Sequence, residues 1–515
     1  MVSPPLISRF QPVKFRLSFL ILLPVAGVIA WYLIKVFQFQ SNNEEFSDGI
    51  LALQLSRGWL EGRPVLYDNL YGDHARQHNY YFILLTGFLT KFTGIYGLFI
   101  TYLGLVALLM WQWYKGFLLF GRSIWTGPWL TVFFFVFGPM AYYIYLDYFG
   151  WHPEHYFIPL LALLSLSLAR RQFKLAVLWL LLTFLVKETS NILICSLLLF
   201  CSVTDLILRN PDRPWHHYIF HRRNFLIAGL CFVLFCLSMW WLSHLNGPGP
   251  SRLGLALSRI QQTATPSKLI AYTSLYCVVG LMTFGIGLLP FISWLRVSPR
   301  AGLIVWTLAG CYMLLFVIYF VETLFYFPTI YLSVSYPPRM GGLWAILLSA
   351  FIFLCVRLTQ AGKLAGPQVV SWILTGGILQ FLFSPFLVAH HFAIDTDSHE
   401  VSINAAYMIK TRLGLYPYPE GIPRQLHTLS KQLPEGSDVI VPNRYLSYFE
   451  NVYPGSWNYD GGALRVLRKP LLYVYEKKLI GKVAYYRFPK TGYTVIPNHE
   501  LLILADSTWY SLHFK

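Results

Sequence analysis

Charge is what this sequence has least of. Of its 515 residues only 12% are Asp, Glu, Lys or Arg, while 56% are hydrophobic and 18% aromatic. A soluble chain carries about 25% charged residues, so this composition leaves too few polar groups to cover a water-facing surface. A soluble enzyme, a disordered chain and a disulfide-built secreted scaffold are excluded. Acids are scarcer than bases, 23 against 40, for a formal charge of +17. No compact basic module accompanies that excess, so nucleic acid is not an expected partner. The seven cysteines all fall inside apolar runs, with neither a disulfide framework nor zinc spacing. Internal repeats and low-complexity tracts are missing, and residues 390–515 carry neither a phosphate-binding glycine loop nor a nucleophile elbow.

What the chain has in quantity is long apolar runs. They lack strict alternation, which argues against a barrel and leaves helices as the way to satisfy a backbone in lipid. Runs of about 17–25 residues predict spans near 15–37, 93–114, 124–146, 154–170, 173–187, 189–208, 224–243, 267–294, 301–320, 340–357 and 369–389, about eleven in all. The first follows Arg9, Lys14 and Arg16. It is longer than a signal-peptide core and has no small-residue cleavage site, so it reads as a retained span.

Placing the N-terminus in the cytoplasm makes every inner segment basic, through Lys115 and Arg122, Arg170 to Lys174, Arg209 to Arg223, Arg296 and Arg300, and Arg357 and Lys363. Before residue 390 only Asp205 and Asp212 then lie inside; Glu44, Glu45, Asp48, Glu61, Asp68, Asp73, Asp147, Glu154, Glu188 and Glu322 gather at the outer face. An odd number of spans sends the C-terminus outside. The expected fold class is therefore an α-helical polytopic membrane protein of the plasma (inner) membrane. Residues 1–389 form its transmembrane domain, and residues 390–515 a small extracytoplasmic α/β domain. In the latter, β-like runs occur at Asp438–Val441, Leu471–Tyr475, Lys482–Arg487 and Leu501–Leu504, with a helix near Arg424–Leu433.

The first outer loop, residues 38–92, is long for its kind, and such loops usually carry function. Ser47 is placed to cap a helix starting near Asp48. Ile50, Leu51, Leu55 and Trp59 give that helix an apolar stripe, which predicts that it lies along the membrane surface until Gly58 or Gly62. Asp48 is then fixed just above the bilayer, with Glu44 and Glu45 one turn earlier. Asp73-His74, then His152-Pro153-Glu154-His155 between two spans, then Lys187-Glu188 bring further carboxylates, imidazoles and a cation to the same boundary. That mixture suits removal of a proton from a hydroxyl while cations hold an anionic leaving group.

Phe46-Ser47-Asp48-Gly49-Ile50, Gly62-Arg63-Pro64, Gly72-Asp73-His74, Phe149-Gly150-Trp151-His152-Pro153-Glu154-His155 and Val186-Lys187-Glu188 together resemble the GT-C superfamily of integral-membrane glycosyltransferases, in particular its bacterial multispan members of unassigned activity. The resemblance covers roughly the first 190 residues. It implies a polyprenyl-phosphate sugar as donor, a hydroxyl of lipid, glycan or protein as acceptor, and transfer at the outer membrane face. It also implies an acidic base in the first outer loop. Many members carry Asp-Glu or Asp-x-Asp there; here Glu44-Glu45 precede Asp48, so Asp48 and Glu45 both stand as catalytic candidates.

Each remaining candidate has a second reading. Asp48 also complements a helix dipole. Asp73 and His74 orient substrate or turn the loop. The segment His152, Glu154, His155 binds substrate, opens a span through hydrogen bonds or holds a metal; Pro153 disturbs the metal geometry and no third ligand is specified, so no metal or other cofactor is assigned. Lys187 contacts phosphate, or forms an ion pair with Glu188 while its stem snorkels. Arg339, like Arg252 and Arg259, is a phosphate partner or a plain loop cation. Two other functions compete with sugar transfer: a lipid or solute transporter, for which the expected inverted repeat is missing, and a non-catalytic membrane assembly protein.

Overall fold

The computed structural model of the protein describes residues 47–76, 78–119, 151–246, 301–326, 337–361, 422–456, 468–480, 488–489 and 491–513, with parts of 25–39 and the pairs 393–394 and 401–402. The spans predicted near 124–146, 267–294 and 369–389, most of that at 15–37, and the run Lys482–Arg487 lie outside these residues.

The described chain is mostly helical, with a sheet near its C-terminal end. Helix α1 (Ser47–Arg57) has Asp48 in its first turn and Arg57 in its last, both favourable to the macrodipole. It tightens into a 3-10 turn over Gly58–Glu61 and stops at Gly62, whose φ of 77° a side chain would strain and whose N–H caps Gly58 O. A two-residue hairpin follows, β1 (Tyr67–Asp68) against β2 (Gly72–Asp73). Asp68 Oδ1 fixes its turn by accepting the N–H groups of Leu70 at 2.8 Å and Tyr71 at 2.6 Å. Helices α2 (Tyr81–Leu85) and α3 (Gly87–Thr93) then lead into α4 (Tyr96–Leu119). At Gly87 a Cβ would lie 2.3 Å from Ser56 O, so α3 touches α1 backbone to backbone and only glycine fits.

The apolar helices are α5 (Phe157–Ala169), α6 (Phe173–Phe184), α7 (Ser190–Arg209), α9 (Arg222–Asn246), α10 (Ala301–Tyr326) and α11 (Pro337–Gln360); a short α8 (Trp215–Ile219) joins α7 to α9. Among the described residues, Tyr96–Trp113, Ser190–Arg209 and Arg222–Leu245 are long and apolar enough to cross a membrane, and four shorter apolar helices accompany them. Helix α5 is buried almost throughout and packs on α11, α6 and α4. Helix α9 is its opposite: Phe225, Leu226, Leu230, Phe232 and Leu237 are each more than half exposed. Apolar area of that extent suits hydrocarbon and not water. Asp205 ties three of these helices at one end. It takes Arg209 at 2.6 Å, Arg223 at 3.9 Å and the guanidinium of Arg357. All three are bases that the charge pattern assigns to inner loops, and here they meet.

The C-terminal part holds α12 (Ile422–Gln432), a five-stranded mixed sheet and α13 (Ser507–His513). The strands are β5 (Asp438–Val441), β6 (Tyr453–Ser456), β7 (Leu472–Glu476), β8 (Tyr493–Ile496) and β9 (Leu501–Asp506), in the order β6-β5-β7-β9-β8. β5 pairs in parallel with β6 and β7, and β9 pairs antiparallel with β7 and β8. The inner strands β5 and β7 are buried at every position, in keeping with the apolar runs Val439–Val441 and Leu472–Tyr475 that make up most of them. A separate pair, β3 (Ala393–Ile394) with β4 (Val401–Ser402), precedes them.

One expectation is corrected here. Helix α1 does not present a single apolar stripe to a surface; it is buried from Ile50 to Arg57, polar residues included. The reason lies in the positions between the stripe. Gln54 donates to Pro454 O at 2.7 Å, Ser56 bonds Thr90 at 2.9 Å, and Arg57 donates to the carbonyls of Glu450 at 2.8 Å and Val452 at 3.2 Å. The C-terminal sheet thus seals the polar side of α1 that water would otherwise cover. Arg63 completes the seam. It pairs with the fully buried Asp438, donates to Gly436 O at 3.0 Å and lies 3.3 Å from the centre of the Tyr453 ring.

Arg63→Lys keeps the charge there but loses the planar fork and the ring contact. We expect it to loosen the sheet by about 1–3 kcal/mol, the worth of hydrogen bonds to charged groups. Faster amide exchange in β5 and β6 with unchanged exchange in α7 would show it; equal exchange in all three would refute it.

Candidate functional site

The first turn of α1 carries Asp48, and the chain reaches the same place twice more. Trp151-His152 enters a 3-10 turn, Pro153–Tyr156, that leads straight into α5, with Pro153 at its first position. Val186-Lys187-Glu188 links the end of α6 to the start of α7. A fourth segment, His78-Asn79-Tyr80, is tied to that link by the Phe82 N–H, which donates to Leu185 O at 2.8 Å.

These segments align one connected set of polar side chains. His152 Nε2 is 2.7 Å from Asp48 Oδ2, and His152 Nδ1 is 3.3 Å from Glu154 Oε2. Glu154 Oε1 accepts from Lys187 Nζ at 2.8 Å and from the Tyr80 hydroxyl at 3.0 Å. A carboxylate only accepts, so an imidazole with both nitrogens on carboxylates carries both protons. The electrostatics agree. Burial works against charge on His152, but Asp48 and then Glu154 outweigh it and hold its pKa well above 6.5. Tyr80 moves the other way from use as an acid: burial first, and Glu154 second, keep its phenol protonated far beyond pH 10.

Beside this row runs a second one. Glu188 accepts from His78 Nδ1 at 2.8 Å and from the Asn79 N–H at 3.2 Å. Burial lowers the His78 pKa more than Glu188 raises it, so its imidazole is neutral at pH 7. His78 packs against the Tyr80 ring at 4.9 Å, and His74 stacks on the same ring at 5.3 Å. His74 Nδ1 reaches Asp68 Oδ2 at 3.1 Å. Exposure falls inward along the main row. The Asp48 side chain is 20% exposed, His152 12%, and Glu154 5%. Asp48 is the end that faces out, and among the described residues its second oxygen has no partner.

The sequence candidates are therefore divided. Asp48, His152, Glu154, Lys187 and Glu188 come together, with His74 at the margin. His155 is buried under Trp151 at 4.7 Å and accepts the His152 N–H at 3.4 Å, so it shapes the turn. Asp73 stands apart, exposed and bonded to Arg76 at 2.9 Å. Lys187 is committed to Glu154 and not to the adjacent Glu188. Arg339 belongs to α11, with its side chain outside the described part, and Glu45 lies outside the described residues altogether. Tyr80, His78 and Asn79 are the members that the pattern did not single out for this role; their signal was adjacency to Asp73-His74 in a loop otherwise rich in turn residues. Among the described residues no three His, Cys, Asp or Glu side chains converge as metal ligands. A cavity of about 700 Å³ opens at the Arg57 end of α1, not at Asp48.

The raised pKa of His152 carries a sign. Stabilisation from the charged bridge is complete below pH 6.5 and is lost as pH rises through the higher folded value. Wild-type protein is expected to lose stability between neutral and alkaline pH, and His152→Gln to flatten that slope. Denaturation in detergent across pH 6 to 10 measures it; identical slopes would show that the bridge is uncharged.

No protein-family model matches this chain, and no curated protein matches it.

Proposed function

We propose that the protein is a membrane-embedded glycosyltransferase of GT-C type, with about eleven spans. It moves a sugar from a polyprenyl-phosphate donor to a hydroxyl of a lipid, glycan or protein. The reaction takes place at the extracytoplasmic face of the plasma membrane, the side on which the C-terminal α/β domain then sits. Asp48 is the proton acceptor, and the anomeric carbon is displaced in line as the lipid phosphate departs.

One observation supports this reading above the rest. Asp48 is the outward end of a buried row, Asp48–His152–Glu154–Lys187, in which each inner member is held by the next. A base is effective when its carboxylate is ionised, aimed and partly shielded from water. His152 aims the Asp48 carboxylate at 2.7 Å, and the Asp48 side chain is only 20% exposed. His152, Glu154 and Tyr80 are positioning residues; they never reach the reacting atoms. The inward run of partners also leaves Lys187 too occupied to be the phosphate contact, so that role falls to cations later in the chain, Arg339 at the start of α11 among them. The test is transfer of labelled sugar from polyprenyl-phosphate donors by purified protein in lipid nanodiscs, with Asp48→Asn beside the wild type.

A further inference from the structure

The cavity at the other end of α1 is a distinct place. Nine residues separate Asp48 from Arg57, which at the helical rise is roughly 14 Å. Its volume of about 700 Å³ is that of a small-molecule site. Five parts of the chain enclose it: Tyr32, the Arg57 end of α1, the turn from α3 into α4, the end of α12 with the turn after it, and the segment before β6.

The walls are chemically unequal. On one side stand Phe92, Tyr96, Ile100 and Tyr32. Phe92 is 83% exposed, and with Phe88 and Leu85, both more than half exposed, it makes α2 and α3 an apolar surface that nothing in the described chain covers. This side continues directly into the apolar length of α4. On the other side stand Lys91 and Lys431, both exposed, and the buried Arg57. Arg57 spends its bonds on carbonyl oxygens and meets one acid, Glu61, at 3.6 Å. Two carboxyls also face the space, the exposed Glu435 and the largely buried Glu450. The latter has an oxygen, Oε2, that is buried with no hydrogen-bond partner among the described residues. Burial, only partly offset by Arg57 and Lys431, raises Glu450 to about 7, so near neutral pH much of it is an uncharged donor. Cations then outnumber anions in a pocket with one water-facing and one apolar wall.

We propose that this cavity binds the phosphate headgroup of an anionic membrane lipid, held by Lys91 and Lys431 with its acyl chains running over Phe92 and Ile100. The assignment requires the apolar helices to lie in a bilayer, but it is independent of sugar transfer. A free phosphate ester shares the headgroup chemistry and lacks the tail, so the two sources separate by experiment.

Native mass spectrometry of the full chain in detergent gives the measurement, with phosphatidylglycerol, phosphatidylcholine and glycerol 3-phosphate as probes. Phosphatidylglycerol adducts should exceed phosphatidylcholine adducts. Lys91→Gln and Lys431→Gln should each weaken them about fivefold, the worth of one basic residue at an anionic lipid surface. Both residues are exposed, so neither change threatens folding, and Lys174→Gln, another exposed lysine, should leave binding intact. Raising pH from 6 to 8 ionises Glu450 beside Arg57, Lys91, Lys431 and Glu435, and adds a negative charge next to the phosphate. Affinity should fall over that interval in the wild type and not in Glu450→Gln. Equal phosphatidylcholine binding, undiminished adducts in the double lysine variant, or an equal loss in Lys174→Gln would overturn the proposal. Glycerol 3-phosphate binding as strongly as the lipid would assign the pocket to a soluble ester and overturn it too.

Discussion

Asp48→Asn is expected to reduce sugar transfer by about 10²–10⁴-fold, the contribution of one positioned general base. The amide keeps the shape of the side chain and its contact with His152, but it takes no proton from an acceptor hydroxyl. Because Asp48 is partly exposed and pairs through one oxygen only, the change should leave the purified protein folded, with a loss of stability limited to the charged bridge to His152. That separation is the point of the variant. Transfer at the wild-type rate by a well-folded Asp48→Asn protein would remove Asp48 from the chemistry. Glu45→Gln in parallel decides the remaining alternative: a loss there and not at Asp48 moves the base to Glu45.

Glu154→Ala should act on the fold instead. Glu154 is 5% exposed and Lys187 8%, and Glu154 takes donors from Lys187, His152 and Tyr80. Removing it strands an ammonium and a phenol in the interior, and breaking one partner from a buried ion pair costs about 3–5 kcal/mol. The double variant Glu154→Leu with Lys187→Met discards both charges, and should recover a large part of that loss for the same reason. Chemical denaturation of the three proteins in one detergent tests the pair. A Glu154→Ala protein within about 0.5 kcal/mol of wild type, the range of neutral surface changes, would mean that water reaches Lys187 and that the row is not a sealed unit.

Local pattern made much of this molecule legible before any coordinates. Hydropathy marked α4 to α7 and α9 to α11 because a helix apolar on all sides announces itself whatever it packs against. The ends of α1 are local too: Asp48 in its first turn, and Gly62 closing the 3-10 turn that follows it. Strand β5 was visible as Asp438–Val441, since a fully buried strand reads as an unbroken apolar run. Strands β6 and β8 were not. Tyr453–Ser456 contains Pro454 and Gly455, and Tyr493–Ile496 is a half-exposed edge, so both owe their form to neighbours. The site followed the same rule. Acids beside span ends were conspicuous, because they are costly there. Which acid meets which base was not: Lys187 passes over Glu188 for Glu154, thirty-three residues away, and no spacing encodes that choice. The burial of α1 was hidden for a related reason. Its covering is supplied by residues such as Asp438 and Pro454, remote in sequence, and an amphipathic stripe reads alike whether its polar side meets water or a sheet.

The long reach of that last contact has a consequence in time. Gln54 waits for a carbonyl that lies 400 residues further along the chain. At ribosomal rates of roughly 5–20 residues per second, the interval is on the order of 20–80 s. Throughout it, the amide of Gln54 and the guanidinium groups of Arg57 and Arg63 have no interior to enter, and the helix that carries Asp48 is not clamped. A nascent or truncated polypeptide that lacks the segment around Pro454 therefore leaves the polar side of α1 without its covering.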